Sequence, residues 1–262
     1  MLNEFAGNSE VNTNSLENWK LILRLCDLAK DDTITAVRVA LLNDFNKREP
    51  FHVETPLRHI LGSFKPFFCG SNNAPPLGAP KTNLPLILFP YASGSNLLNL
   101  LPVAQEAKSR GLLGLIIAGN SIHTEYFDGF ENVITEATIW QMARKTGVLR
   151  IIRSARQKFK KLVNLLEQMD SQCANRVRQN HGWILRQLII AEAMRGSFQA
   201  LLADWKPSCV ISTSDYWPFE FQLFCAAKRM GIPSAIIQHG ELTSVTSWPA
   251  YADIFLTWGT IF

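Results

Sequence analysis

The chain has 262 residues, of which 47% are hydrophobic and 18% are charged, and its formal net charge at pH 7 is +4. A chain of this length and composition has enough apolar side chains for one large domain or two small ones, which excludes a disordered protein. The small positive charge permits an anionic ligand but does not indicate nucleic acid.

The first 83 residues are predicted to form a helical and irregular N-terminal extension. Asn14 and Glu17 form a capping-box pattern followed by apolar residues at helical spacing, which predicts a helix over residues 14–30. Residues 33–43 fit either a helix or a strand, and we favour a helix. Prolines and polar residues predict an irregular segment over residues 49–84 that ends in a linker.

Strands alternate with helices from Leu84 onwards. Short apolar runs that end in small or polar residues predict strands over residues 86–91, 114–118, 132–135, 209–212, 234–237 and 254–257. Helical spacing predicts the connecting helices over residues 97–110, 137–169, 183–205 and 218–230. Gly147 is a point at which the second of these helices could divide. Strand, helix and strand with short connections form right-handed βαβ units and a parallel sheet. The predicted fold class is therefore α/β, a doubly wound parallel sheet over residues 84–262.

The loop Ser93-Gly94-Ser95-Asn96 joins the first predicted strand to a helix. Free backbone N–H groups and the helix dipole at such a point favour an anion or a sugar hydroxyl. The loop has one glycine, so it lacks the G-x-G-x-x-G pattern of dinucleotide binding and the G-K-[ST] of a P-loop. A plain turn with Ser95 or Asn96 as N-cap is the alternative.

Ser214 and Asp215 follow the strand over residues 209–212. A carboxylate at the carboxyl end of a strand could orient a substrate hydroxyl or act as a base. Asp215 could equally cap the helix that begins near Pro218, because Asp before a proline in the first turn is a common start signal. The sequence leaves both interpretations open.

Gln238, His239, Gly240 and Glu241 follow the strand over residues 234–237. Ligands of open α/β sheets bind at the carboxyl ends of the strands, and an imidazole beside a glycine could approach a ligand closely there. We interpret His239 as the catalytic candidate and its three neighbours as substrate-binding candidates. A structural histidine is the alternative, because an imidazole that titrates near neutral pH is not for that reason a catalyst.

The five cysteines are odd in number, scattered and without a C-x-x-C pair, which argues against a disulfide framework or a zinc site. The other histidines are not spaced as metal ligands, so neither a metal nor a cofactor is expected. A polar start without a following apolar run makes a secretory signal improbable. We expect a cytoplasmic protein.

The stretch from Arg144 to Lys161 carries eight cations and no acidic residue. A solvated helix face is one interpretation. Peripheral contact with acidic lipid headgroups at the inner face of the membrane is the other, because each cation near an anionic leaflet contributes about 1 kcal/mol.

Two segments near the end of the chain resemble a known protein family. They are G-I-P-S-A-I-I-Q-H-G at 231–240 and P-A-Y-A-D-I-F-L-T-W-G at 249–259. They are similar to the end of the N-terminal domain of bacterial GT-B-type glycosyltransferases, in particular the capsule and surface polysaccharide transferases and the teichoic-acid glycerophosphotransferases. In that group a strand ending in histidine-glycine precedes a strand ending in tryptophan-glycine. The resemblance implies a Rossmann-like domain over residues 84–262. Only the last part of this range carries motifs that are specific to the group.

The resemblance also implies a role for the chain as the acceptor-binding half of a nucleotide-sugar-dependent glycosyltransferase, with His239 as the base that deprotonates the acceptor. The donor nucleotide sugar would be a substrate held by a C-terminal domain, which this chain, ending at Phe262, is expected to lack. We therefore expect it to be inactive without a separate donor-binding domain or subunit. A non-catalytic sugar- or partner-binding module and a glycerophosphotransferase-like enzyme half are the alternatives, and no nucleic-acid partner is expected.

Overall fold

The computed structural model describes residues 8–46, 83–91, 94–118, 133–134, 136–215, 218–237 and 251–256. The chain divides into two compact units. Of the described residues, the first unit contains 8–46 and 149–192, and the second contains the rest. The predicted domain boundary between residues 83 and 84 does not coincide with this division, because the first unit also takes a helical segment from the middle of the chain.

The elements follow in chain order. They are α1 Asn8–Ala29, α2 Asp32–Ala36, α3 Arg38–Phe45, β1 Leu86–Tyr91, α4 Gly94–Ser109, β2 Leu113–Ala118, β3 Val133–Ile134, α5 Glu136–Thr146, α6 Val148–Met169, α7 Ser171–Gln179, α8 His181–Trp205, β4 Cys209–Ser212, α9 Pro218–Arg229, β5 Ser234–Ile237 and β6 Ile254–Leu256.

The first unit is helical where it is described. Helix α1 buries Trp19, Ile22 and Cys26 along one face, at the three-to-four-residue spacing that predicted it. It begins at Asn8, so the prediction that Asn14 starts the helix is wrong. It ends where Lys30 takes a left-handed φ of 46° and donates its N–H to the carbonyl oxygen of Cys26 at 3.0 Å.

Residues 33–43 are helical, as favoured, but the helix is broken at Val37 into α2 and α3. Asp31 caps α2, because its carboxylate accepts the backbone N–H groups of Thr33 at 2.9 Å and Ile34 at 3.2 Å. The β-branched residues Thr33, Ile34 and Thr35 favour a strand by intrinsic propensity, but they are buried side chains of α2.

A polar cluster joins α6 to α8 and the start of α2 inside the first unit, and we call it the Lys158 cluster. Lys158 Nζ lies 3.0 Å from Asp31 Oδ1 and 3.1 Å from Glu192 Oε2. Thr33 Oγ1 donates to Glu192 Oε2 at 2.7 Å, and Ser154 Oγ donates to Glu192 Oε1 at 2.8 Å. Since the side chain of Glu192 is only 6% exposed, its charge is compensated almost entirely by protein groups.

The second unit contains a parallel sheet whose described strands lie in the order β3-β2-β1-β4-β5-β6. All five neighbouring pairs are parallel, which confirms the predicted α/β class and parallel sheet. Strands β1, β4 and β5 have the predicted bounds. The short apolar runs identified them because strands buried on both faces carry few polar side chains.

Helix α4 packs on β1 and β2. Its buried side chains are Leu97, Leu100, Ala104 and Ala107, whereas Leu98 is 54% exposed. The predicted helix over residues 97–110 is present, and it begins three residues earlier, at Gly94. Gly114 of β2 leaves room for the Phe89 ring, since a Cβ there would lie 3.3 Å from Phe89 Cε2, which is closer than an ordinary contact.

The predicted long helix over residues 137–169 is divided at Gly147, which has a left-handed φ of 98°. A residue with a side chain is strained in this conformation, so glycine sets the position of the break. Helix α5 lies in the second unit, and α6 from Leu149 onwards lies in the first.

Candidate functional site

The strand order reverses between β1 and β4. From β1 the chain proceeds to β2 and β3 on one side, and it then returns to β4, β5 and β6 on the other side. In open α/β sheets ligands bind in the crevice outside the carboxyl ends of the two strands at such a reversal, because the connections leave the edge in opposite directions there. We call this place the switch edge. It lies wholly within the second unit.

The ends of β1 and β4 are tied together at the switch edge. Leu88 pairs with Val210, and two residues further along Ser212 Oγ donates a hydrogen bond of 3.0 Å to the carbonyl oxygen of Pro90. Continuing the parallel register by one more residue brings Thr213 level with Tyr91, the last residue of β1.

The segment Thr213-Ser214-Asp215 is buried at this edge, with each residue 5% exposed. Within the part of the chain that the structure describes, Thr213 Oγ1 has no hydrogen-bond partner. Burying a hydroxyl without a hydrogen bond costs roughly 1–3 kcal/mol, so proteins seldom retain one without a reason. Thr213 is therefore the most informative side chain of the switch edge.

One oxygen of Asp215 has a structural partner. Its Oδ2 accepts the backbone N–H of Tyr251 at 2.9 Å, and the Tyr251 ring packs edge-on against Phe221 of α9, with the ring centroids 4.6 Å apart. Asp215 thus fixes the chain that enters β6. Residues 216–217 lie outside the described residues, so the choice between helix cap and substrate ligand stays a prediction.

Two helices begin at the switch edge. Helix α4 starts at Gly94, three residues after the end of β1, and α9 starts at Pro218, six residues after the end of β4. The N–H groups of a helix's first turn have no partner within the helix, and together with the positive end of the helix dipole they favour an anionic or hydroxyl-bearing ligand. Pro218 fits the first helical position, where its missing N–H costs nothing.

The predicted binding loop is only partly described. Gly94, Ser95 and Asn96 form the first turn of α4, and Ser93 lies outside the described residues. Because the helix begins at Gly94, Ser95 and Asn96 are inside it, so the alternative that either one is the N-cap is wrong.

Gln238, His239, Gly240 and Glu241 also lie outside the described residues. The strand that precedes them is described: β5 pairs with β4, and it ends at Ile237 on the same edge of the sheet. The roles of these four residues stay predictions.

Two buried polar residues near the switch edge were not among the predicted site residues. Thr213 is 5% exposed, and Glu220, in the first turn of α9, is fully buried. The sequence signal for Glu220 was its position between two phenylalanines, in Pro218-Phe219-Glu220-Phe221. Acidic residues are rarely buried among apolar ones without a partner.

Three titratable groups of the first unit have shifted pKa values. Burial, aided by the charge of Arg156, lowers the pKa of His181, whose ring packs edge-on against Phe159 in the first unit. Burial raises the pKa of Cys26 to about 11 and that of Cys173 to about 12, so both thiols are protonated and unreactive at neutral pH.

The described residues contain no group of three or more His, Cys, Asp or Glu side chains that could hold a metal ion. No helix in the described ranges has the length and apolar character needed to cross a bilayer. A scan against protein-family models, a search of curated proteins and a search of solved structures each found no match to the chain.

Proposed function

We propose that this chain binds a sugar-containing acceptor at the switch edge and supplies the acceptor side of a glycosyl transfer from a nucleotide sugar. The observation that carries the proposal is the reversal of strand order between β1 and β4, with the unpartnered hydroxyl of Thr213 buried beside it.

Three features support a polar, hydroxyl-rich ligand. The Thr213 hydroxyl can donate or accept a hydrogen bond, the buried carboxylate of Asp215 can accept one, and the first turns of α4 and α9 offer backbone N–H donors. The strand order is that of Rossmann-type dinucleotide-binding folds, but the first βα turn lacks their glycine pattern. A sugar or sugar phosphate therefore fits better than a dinucleotide.

The histidine-glycine and tryptophan-glycine segments support the assignment to a Rossmann-like GT-B acceptor domain. In this proposal His239 takes the proton of the acceptor hydroxyl as that oxygen attacks the anomeric carbon. The nucleoside diphosphate leaves with the electron pair of the broken bond, and helix N-termini or cations stabilise its charge.

Replacing Thr213 by valine tests the proposed site. We expect the free energy of unfolding to stay unchanged or rise by about 1 kcal/mol, because a buried hydroxyl without a partner is removed at nearly constant volume. We expect affinity for the ligand to fall about 2- to 10-fold, the worth of one hydrogen bond. Saturation-transfer NMR of the full chain with methyl glycosides, sugar 1-phosphates and UDP-sugars would identify the ligand, and titration would give the affinities.

Ser212→Ala is the matched control. Its hydroxyl is buried one residue away but already bonds the carbonyl oxygen of Pro90, so we expect a loss of stability of about 1 kcal/mol with ligand affinity retained. A Thr213→Val chain that loses stability and binds the same probes unchanged would mean that Thr213 is structural. Absence of binding by any sugar probe to the native chain would contradict the proposed function.

A further inference from the structure

The structure separates the cations of the stretch 144–161 into three groups. Arg144 and Lys145 are on α5, in the second unit. Lys158 lies in the Lys158 cluster, and Lys161 Nζ donates to the carbonyl oxygen of Ala29 at 2.6 Å, at the C-terminal end of α1. The charge of Lys158 therefore stabilises the first unit from within, whereas the ammonium group of the exposed Lys161 already bonds a backbone carbonyl.

The remaining four cations form one exposed surface of α6. Arg150, Arg153, Arg156 and Lys160 are all exposed, and no carboxylate in the described ranges pairs with any of them. The opposite side of α6 is buried in the unit through Ile151, Ala155, Leu162 and Leu166. The helix is amphipathic, and its charged face points away from the core.

An apolar side chain lies at one end of this surface. Leu149 is 81% exposed, the largest exposed fraction among the exposed large hydrophobic residues described. It is followed at spacings of four, three and four residues by Arg153, Arg156 and Lys160, which places all four on one stripe of the helix. We call Leu149, Arg150, Arg153, Arg156 and Lys160 the cationic face.

We propose that the cationic face docks this chain on an anionic lipid surface, with Leu149 entering the headgroup region. The apolar side of α6 is already packed, so the helix does not insert sideways into the bilayer as an interfacial helix does. The contact is instead electrostatic, and one exposed leucine adds a small hydrophobic term.

The chemistry of the face favours lipid over nucleic acid. Nucleic-acid surfaces combine cations with aromatic side chains on which bases stack and with polar side chains that read base edges. None of the five residues of the cationic face is aromatic, and an exposed leucine has no partner on a phosphate backbone. Four exposed cations that form no ion pair within the described ranges match the uniform negative charge of a leaflet rich in anionic lipid.

The test is sedimentation of the full chain with vesicles of phosphatidylcholine mixed with phosphatidylglycerol, compared with vesicles of phosphatidylcholine alone. We expect binding to the mixed vesicles only, weakening as salt is raised. Replacing the four cations by glutamine should lower the partition coefficient several hundredfold, which is about fivefold for each charge at about 1 kcal/mol per cation. Leu149→Asn should lower it about two- to tenfold.

The control variant replaces four other exposed cations, Arg24, Lys30, Lys206 and Lys228, by glutamine. It has the same net charge as the test variant and should retain binding to the mixed vesicles. Equal loss in both variants would show that net charge, not the cationic face, drives binding and would overturn the proposal. So would undiminished binding by the test variant, no preference for the mixed vesicles, or tighter binding to duplex DNA under the same conditions.

Discussion

Replacing Lys158 by methionine is expected to destabilise the first unit by about 3–5 kcal/mol. Methionine keeps most of the volume of the side chain but removes the charge that lies 3.0 Å from Asp31 Oδ1 and 3.1 Å from Glu192 Oε2. Two mostly buried carboxylates then lose the cation that they share and keep only neutral hydrogen-bond donors, and removing one partner of a buried ion pair is among the costliest substitutions. Urea unfolding followed by hydrogen exchange at α6 and α8 would measure the loss.

Lys160→Met provides the matched control. It removes the same charge from the same helix two residues away, but Lys160 is exposed, so its stability should change by no more than about 0.5 kcal/mol. In the double variant Lys158→Met, Glu192→Gln we expect part of the stability to return, because one of the uncompensated charges is gone. If Lys158→Met and Lys160→Met cost the same, the Lys158 cluster does not stabilise the unit.

The contacts of the Lys158 cluster could not be predicted from the sequence. The stretch 144–161 looked like one uniform basic surface, because the helical spacing places cations all around α6 without indicating which of them have partners. Lys158 and Lys161 meet Asp31 and the end of α1 more than a hundred residues away in the chain. Contacts at such separations depend on tertiary structure, and one sequence contains no periodic signal for them.

The sheet could be predicted because the signals for its strands are local in the sequence. Strands β1, β4 and β5 are short apolar runs bounded by loop residues, and their parallel arrangement followed from the helices between them. Gly147 was recognised as a break because its consequence is local. The order of the strands was not predicted, and that order is what places the start of α4 and the segment after β4 beside each other at the switch edge.

Thr213 illustrates the limit at the site itself. A threonine after an apolar strand is unremarkable in sequence, and polar residues near it are bonded: Ser212, one position earlier, donates to Pro90, and Asp215, two positions later, accepts from Tyr251. That the hydroxyl of Thr213 is buried without a partner follows only from the packing of β1 against β4. Site prediction from the strand ends therefore named Ser214 and Asp215 but did not name Thr213.

Replacing His239 by alanine is expected to lower the rate of glycosyl transfer about 10²- to 10⁴-fold, the usual contribution of a positioned general base. The assay would follow nucleotide release from a nucleotide sugar in the presence of acceptor, with the donor-binding domain or subunit supplied. We expect kcat to fall with little change in KM, because proton removal acts in the transition state and not on acceptor binding. The free energy of unfolding should stay within about 0.5 kcal/mol of the native value.

His181→Ala is the control for His239→Ala, because it removes an imidazole that lies outside the proposed site. His181 packs against Phe159 in the first unit, so its replacement should lower stability by about 1 kcal/mol through lost aromatic contact and leave kcat unchanged. If His239→Ala instead unfolds the chain, the histidine is structural. If the variant folds and transfers at the native rate, His239 is not the base. Asp215 is then the residue to replace next, because it is a predicted site residue whose carboxylate is buried at the end of β4.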